Sequence, residues 1–378
     1  MTPSYVFDLD IFNKRIDDIR GAIPGIPLVY SIKANPFLLP YLPDTIAHIE
    51  VCSPGEFSIC RELQVSPGKM IYSGVMKEET DIAEALTYGA DLITAESIRH
   101  FELIRDAAAK LKKKVSILLR LSSGNQFGMS VGDIRTVLTM AEGLEDLHIA
   151  GLHYYSGTAK KKKQVEADIG HLAKVLHELK AECGFTCELL EYGPGLSAEY
   201  FAGTADECET KDMELLAETA PLINELSERI NLSIELGRFI AAPCGTYETA
   251  VKDLKTVGDV DYMIVDGGTH QVKYFGPNAA MKIPPIEQDH EGSKKEYMIC
   301  GSLCTTADVL VRNVSLSEVS VGDVLRFKRT GAYSVTEGPV LFLSRRLPEI
   351  YVSSQAEGRV LIRKGIEAYS INKGQSLE

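Results

Sequence analysis

Three things are missing from this sequence, and each absence closes off a class of function. No apolar run reaches the ~20 residues that a membrane-spanning helix needs. There is no excess of positive charge: 40 Lys and Arg stand against 53 Asp and Glu, a net charge of −13. That balance excludes nucleic acid and anionic membrane as natural partners, and the basic run Lys160 to Lys163 reads as the solvated start of a helix. Nor are the eight cysteines paired in any metal-binding pattern. Cys183 and Cys187 are close, but nothing downstream completes a zinc-type set, so no metal site is expected and the thiols read as reduced. The opening MTPSYVFDLDIF carries acids where a secretory signal carries base, so no export signal is read and a cytoplasmic location is expected.

What is present points to a two-domain globular protein. With 378 residues, 45% of them hydrophobic and 25% charged, the chain can bury two proper cores. From residue 28 to 236, short apolar runs alternate with helical stretches: LVYSIK (28–33), HIEVC (48–52), KMIYS (69–73), DLIT (91–94), VSILLRL (115–121), IAGLHYY (149–155), CELLEY (187–192) and LSIEL (232–236). Ser53-Pro54-Gly55-Glu56 reads as a capping box with proline at the first helical position. Eight strands separated by helices predict a (β/α)8 TIM barrel, hence an α/β fold class. After residue 240 the texture becomes strand-and-turn, as in DYMIVD, EYMICGSL and DVLRFK, which predicts a C-terminal mostly-β domain. The expected division is a barrel over 25–239 and a β domain over 1–24 and 240–378.

A barrel enzyme places its chemistry at the C-terminal ends of its strands and often holds a phosphate after the last two. Gly193-Pro194-Gly195 follows the seventh predicted strand, and Glu235-Leu236-Gly237-Arg238 closes the eighth. A lone Gly-Pro-Gly is ordinarily a tight turn. Two glycine turns at the two expected strand ends suit a phosphate, because glycine lets backbone N–H groups approach closely. In VYSIKANPF, Lys33 sits at the end of the first strand, before an Asn-Pro stop. It is either a charge at a sheet rim or a chemically used amine. His153-Tyr154-Tyr155-Ser156-Gly157-Thr158 closes the sixth strand. A lysine, a flat aromatic, a carboxylate and a phosphate cup on one rim fit pyridoxal 5′-phosphate: the amine takes the aldehyde, the aromatic stacks on the ring, and the carboxylate keeps the ring nitrogen protonated.

The pieces YSIKANP, EVCSPGEF, GLHYYSGT, LEYGPGL, IELGRF, VDGG, CGSLCTTADVL and GAY run in order from residue 30 to 333. In this the chain resembles the fold type III pyridoxal-phosphate decarboxylases, the group of diaminopimelate, ornithine and arginine decarboxylases. The resemblance implies a head-to-tail homodimer with shared active sites. It implies Lys33 as the covalent anchor, and Gly193, Gly195, Gly237, Arg238 and Tyr333 around the phosphate. It also implies Glu235 against the pyridine nitrogen, and a Cys304 that reaches the partner's site and protonates the α-carbon after carbon dioxide leaves. Glu50 and Glu56 stand where members of the group keep acids near the second strand.

Departures from the group's pattern bear on the substrate. Tyr155 replaces a stacked histidine and cannot titrate near neutral pH. Thr158 replaces a serine at the phosphate. Gln126 replaces a lysine, which puts an intersubunit pair with Asp308 in doubt. His270 and Thr305 hold the expected substrate-contact positions. Thr305 follows Cys304 where the diamine-forming enzymes place an acid, and the segment THQVKYFG lacks the arginine that diaminopimelate decarboxylases place there. These changes resemble the siderophore and secondary-metabolite branch, whose substrates include citryl-diaminopropionate and carrier-tethered glutamate. The expected function is decarboxylation of an amino acid or amino-acid conjugate. Alternatives are diaminopimelate decarboxylation in lysine biosynthesis, an amino-acid racemase of the same fold type, a non-catalytic pyridoxal-phosphate carrier, and a barrel enzyme without this cofactor. Racemases resemble one another in setting an arginine at the ring nitrogen, where this chain has Glu235.

Overall fold

The computed structural model describes residues 1–378 except Asp91, Pro277, Asn278 and 375–378. The chain divides into two compact units: Asp17–Ser197 with Glu214–Phe239, and Met1–Ile16 with Ala198–Met213 and Ile240–Glu378. Residues 17–24, expected in the β domain, therefore group with the barrel, and 198–213, expected in the barrel, group with the β unit. The second difference has a visible cause. Arg329 of the β unit is buried and donates to the Glu199 carbonyl at 2.7 Å and to the Asp212 carboxylate, while Arg15 reaches Asp212 at 3.0 Å. Two buried guanidinium groups thus need the acids that 198–213 carries.

After β1 (Ser4–Asp8) come β2 (Leu28–Ser31), β3 (Ile46–Val51), β4 (Met70–Tyr72), β5 (Leu92–Ala95), β6 (Val115–Leu121), β7 (Leu147–Tyr155), β8 (Leu189–Gly193) and β9 (Leu232–Leu236). The eight strands β2 to β9 form a closed barrel in chain order. All eight neighbouring pairs are parallel, and β2 closes on β9 with Val29 opposite Glu235. The (β/α)8 expectation holds. The predicted strand at 91–94 is found at Leu92–Ala95, its first residue, Asp91, lying outside the described residues. Strand floors are apolar: Val29, Ile71, Leu118 and Ala150, from four different strands, pack into one buried cluster.

Caps set the helices between strands. In α1 (Leu9–Ala22) and α2 (Pro54–Glu62) the second begins as predicted, with the Ser53 hydroxyl accepting from the Glu56 N–H at 3.2 Å and Pro54 at the first position. The reciprocal half of the box differs, because the Glu56 carboxylate accepts from Cys52 N–H at 2.7 Å instead of Ser53. α3 (Glu79–Tyr88) and α4 (Ile98–Leu111) follow, then α5 (Val131–Ala141), whose Ser130 and Asp133 make a full capping box. α6 (Lys162–Cys183) and α7 (Ala205–Ser227) are the longest, and α8 (Arg238–Ala241) is a single turn after β9.

The β unit is one nine-stranded sheet. Its central path runs β14 (Val309–Ser317), β13 (Lys294–Cys300), β11 (Val260–Val265), β10 (Gly245–Val257), β1, β16 (Glu349–Ser354) and β17 (Gly358–Arg363); β15 (Val324–Lys328) pairs β10 and the short β12 (Ile286–Glu287). VDGG and CGSLCTTAD meet around one buried carboxylate. Asp308 accepts from Thr269 N–H at 2.7 Å, the Thr269 hydroxyl at 2.8 Å and Leu303 N–H at 2.8 Å. Only glycine fits at 301, since a Cβ there would lie 2.2 Å from the Asp308 carboxylate.

One buried histidine gives the barrel a pH signature. His100, in the first turn of α4, accepts weakly from Glu96 N–H at 3.4 Å and is buried. Burial first, then the nearby Lys77 ammonium, push its imidazole down to about 4, with Glu96 opposing. The folded state therefore binds fewer protons than the unfolded chain below the ordinary value of 6.5, and stability falls as pH drops from 6.5 through about 4. His100→Asn, which keeps an acceptor, should flatten the pH dependence of the urea midpoint between 6.5 and 5 relative to wild type, as read by circular dichroism; an unchanged slope would place that titration elsewhere.

Candidate active site

The Asn-Pro stop after Lys33 is a shape-setting device. β2 ends at Ser31, so Lys33 sits in a one-turn 3-10 helix (Ile32–Ala34) and not in the strand as expected. Asn35 is fully buried, its side-chain oxygen accepts from Phe37 N–H at 3.0 Å, and its carbonyl accepts from the Tyr30 hydroxyl at 3.0 Å. Pro36 then opens the next 3-10 turn, Pro36–Tyr41. Held this way, the Lys33 side chain turns inward across the barrel's C-terminal end. Its Nζ bonds to the Glu50 carboxylate, lies 3.4 Å from Cys52 Sγ and 3.5 Å from Glu235 Oε1, and the side chain remains 37% exposed, so it meets both the acids and solvent.

Glu235 is the centre of the cluster. It accepts from the Ser31 hydroxyl at 2.5 Å and from His153 Nε2 at 3.0 Å. Burial alone would raise its carboxyl. Lys33, the hydrogen bond and charge of His153, and Glu50 together outweigh burial and hold it well below the usual carboxylate range, so it is ionised. Ser31 also lies 2.6 Å from Glu50 Oε2, and its single hydroxyl proton serves one of the two acids at a time. Glu191 differs: it is fully buried, and neither carboxylate oxygen has a hydrogen-bond partner among the described residues. Burial, then the charges of Glu235 and Glu50, push its carboxyl well above the ordinary value. Glu235 and Glu191 thus divide into an ionised and a neutral member, as close like charges do.

The glycine turns lie at the ends of the neighbouring strands β8 and β9. Gly193 pairs with Tyr155 across β8 and β7, and a Cβ at 193 would come within 2.8 Å of the Tyr155 ring, so glycine lets that ring lie against the strand end. Burial raises the Tyr155 phenol, with a hydrogen bond to Thr158 opposing. Gly195, at φ +57°, leaves 1.9 Å between an added Cβ and the Gly157 carbonyl, so no other residue fits. Gly237 packs on Ala34 and Ser31 beside the Lys33 turn, and Arg238 opens α8. Lys33, Tyr155, Thr158, Gly193, Gly195, Glu235, Gly237 and Arg238 all belong to the barrel unit.

The remaining predicted residues belong to the β unit. Cys304 and Thr305 are exposed on the loop between β13 and β14. Tyr333 is partly exposed at φ +65°. His270 is fully buried, with neither ring nitrogen hydrogen-bonded among the described residues. Burial lowers its imidazole, which keeps it neutral. Asp308, doubtful as an intersubunit partner of Gln126, has the local donors described above.

His153, Ser31, Cys52 and Glu191 were not singled out from the sequence. Their signal was strand register: Glu191 pairs with His153 on one side and with Ser233 on the other, a polar row across the barrel interior. A second group was also missed at the ends of β4 to β6. Arg120 pairs with Glu96 at 2.5 Å, and burial pushes the Lys77 amine, bonded to the Gly74 carbonyl, down to about 8. Glu50, His153 and Glu235 offer ligand atoms within 4.8 Å of one another, near enough for a cation, but the Lys33 amine already bonds into that space.

Fold and residues together define a (β/α)8-barrel enzyme whose chemistry runs on amine, carboxylate and imidazole groups at the strand ends. Within that class, the chain belongs to the pyridoxal-dependent decarboxylases: the pattern of that family's pyridoxal-binding domain matches residues 9–242. It is 28% identical to a diaminopimelate decarboxylase of Aquifex aeolicus over 96% of this chain and 89% of the relative. It is 26% identical to the 2-[(L-alanin-3-ylcarbamoyl)methyl]-2-hydroxybutanedioate decarboxylase of Staphylococcus aureus over 93% of this chain and 94% of the relative. The crystal structure of the M. jannaschii diaminopimelate decarboxylase superposes with a TM-score of 0.87 at 22% identity, over 100% of this chain and 92% of that one. The cofactor is pyridoxal phosphate, and the donor set fits it: an amine for an aldehyde, an ionised carboxylate for a protonated ring nitrogen, and glycine-lined strand ends with an arginine for a phosphate.

The neutral acid is open to direct observation. Glu191 should give an infrared carbonyl band of a protonated carboxyl that persists to higher pH than that of the surface acids, and Glu191→Gln should remove it. Because the folded-state value is raised, its contribution to stability is present below the ordinary 4.5 and is lost as pH rises through the folded value. Stability of Glu191→Gln should therefore decline less with rising pH than that of wild type. A variant that keeps the band would assign the proton to another group.

Proposed function

We propose that this chain removes the α-carboxylate of a carboxylate-rich amino-acid conjugate, of the kind named for the Staphylococcus aureus relative, in siderophore or other secondary-metabolite biosynthesis. Decarboxylation rather than racemisation rests on one observation: Glu235, not an arginine, stands ionised between Lys33 and His153. Pyridoxal phosphate, when bound, draws off the electron pair left at the α-carbon as carbon dioxide departs. An ionised Glu235 keeps the ring nitrogen protonated for that purpose, and His153 fixes the carboxylate's orientation. Lys33 is the covalent anchor. Its amine must lose a proton before it can bond to an aldehyde carbon, and Glu50 is placed to take that proton. Gly193, Gly195, Gly237, Arg238 and Thr158 would take the phosphate, and Tyr155 would stack on the ring. The substrate preference is supported by the neutral Thr305 beside Cys304 and by the absence of arginine from 269–275. The breadth of the Aquifex aeolicus match supports diaminopimelate as the second reading.

A release assay decides between them. Citryl-diaminopropionate, diaminopimelate, lysine, ornithine and glutamate, the last free and carrier-tethered, would be scored for carbon dioxide and for inversion. The citryl conjugate should be preferred at least tenfold in kcat/KM. Preference for diaminopimelate would install the second reading, and inversion without carbon dioxide would install a racemase. Borohydride reduction of the holoenzyme followed by peptide mapping should put the pyridoxyl group on Lys33; another lysine would overturn the site.

The same reading makes the active unit a homodimer with shared sites, in which Cys304 comes from the partner subunit and returns a proton to the α-carbon. Its exposure on a loop supports that reach. Mixing inactive Lys33→Ala with inactive Cys304→Ala should then restore up to about a quarter of wild-type activity, because random pairing leaves one intact site in half of the dimers. No recovery, with subunit exchange shown by native mass spectrometry, would mean that each chain builds its own site.

A further inference from the structure

The basic run at 160–163 is not uniformly solvated. Lys161, Lys162 and Lys163 are exposed, but Lys160 is only 5% exposed and its ammonium bonds to the Asp168 carboxylate and to the Ser156 hydroxyl. Asp168, on α6, is buried too. It accepts from Ser156 at 2.7 Å and from the Tyr192 hydroxyl at 2.9 Å. One carboxylate thus gathers both glycine-bearing strand ends: Ser156 and Lys160 bracket Gly157–Thr158 after β7, and Tyr192 immediately precedes Gly193 in β8. Backbone bonds complete the join. Lys160 N–H donates to the Gly195 carbonyl at 2.9 Å, and Ser197 N–H donates to the Lys160 carbonyl at 3.2 Å.

This segment needs holding. Gly157 sits at φ +132° and Ala159 at φ +58°, a left-handed conformation that costs a residue with a Cβ. The Gly157 carbonyl presses on Gly195 so closely that no side chain fits between them. A surface lysine would leave the loop free to relax toward solvent. Burying an ammonium and a carboxylate is expensive in water lost, and such pairs are best understood as fixing one geometry.

We propose that the Lys160–Asp168 pair is a positioning device for the cofactor's phosphate: it locks Gly157–Thr158 against Gly193–Gly195 so that their N–H and hydroxyl donors face one point. Neither residue touches the cofactor. The proposal rests on the reading that these turns take the phosphate, and its test separates the two.

Full-length protein freed of cofactor would be titrated with pyridoxal phosphate and with pyridoxal, which carries the same aldehyde and ring but no phosphate. Wild type should prefer the phosphorylated form, and inorganic phosphate should compete with it. Lys160→Met keeps the stem and removes the charge. It should weaken pyridoxal phosphate tenfold or more while changing pyridoxal less than twofold, a selective loss that general loosening of the fold would not produce. If Lys160→Met does not fold, by circular dichroism and thermal melting, Asp168→Asn carries the test with the same expectation, since it keeps the volume and the Tyr192 contact. Equal weakening of both ligands, or no change in either, would overturn the positioning role and leave the phosphate cup standing. A wild type that binds the two forms alike would overturn the cup and the device together.

Discussion

Three carboxyl groups, Glu50, Glu191 and Glu235, point into one barrel, and only a limited amount of negative charge can be kept there out of water. The rest of the site is an arrangement around that constraint. Lys33 sets its ammonium against two of the acids, His153 gives an N–H to Glu235, and Ser31 lends one proton between Glu50 and Glu235. What these groups do not neutralise is taken up by protonation of Glu191, the member without a hydrogen-bond partner among the described residues. The division leaves Glu235 ionised and Glu191 neutral. Removing a countercharge would not delete one interaction but move a proton from one acid to another.

Apolar packing beneath this layer makes the arrangement durable. Val29 lies two residues before Ser31 on the same strand and belongs to the buried cluster with Ile71, Leu118 and Ala150. Alternation along each strand therefore lifts the polar row directly off a dry floor. At the strand ends, the cap at Asn35 fixes the lysine and the clamp at Asp168 fixes the glycine turns. Both use buried side-chain hydrogen bonds to the backbone or to charge, the kind of bond that is costly to break in a water-poor interior.

Much of this was legible beforehand, and the misses have physical causes. Apolar runs bounded by turn residues located all eight barrel strands, and VSILLRL and LSIEL matched to the residue. Lys33, Glu235 and the two glycine turns were visible because they stand at strand ends, where a break in pattern is informative. His153 and Glu191 were hidden because an inward polar residue inside a strand resembles an outward one until register is known. Lys160 was misread because three exposed neighbours set the apparent character of the run. The burial of His270 was not legible either, because it depends on Asp308, 39 positions beyond Thr269 in the chain, accepting from Thr269 N–H.

The 3.4 Å between Lys33 Nζ and Cys52 Sγ sets up a contest of chemoselectivity. An aldehyde entering the barrel meets an amine and a thiol side by side, and a thiolate is among the fastest partners a carbonyl can find. Burial, then the charges of Glu50 and Glu235, push the Cys52 thiol well above its ordinary value, with Lys33 opposing. A thiol kept protonated is a poor nucleophile. The acids gathered to manage charge thereby also quiet the thiol beside the Lys33 amine.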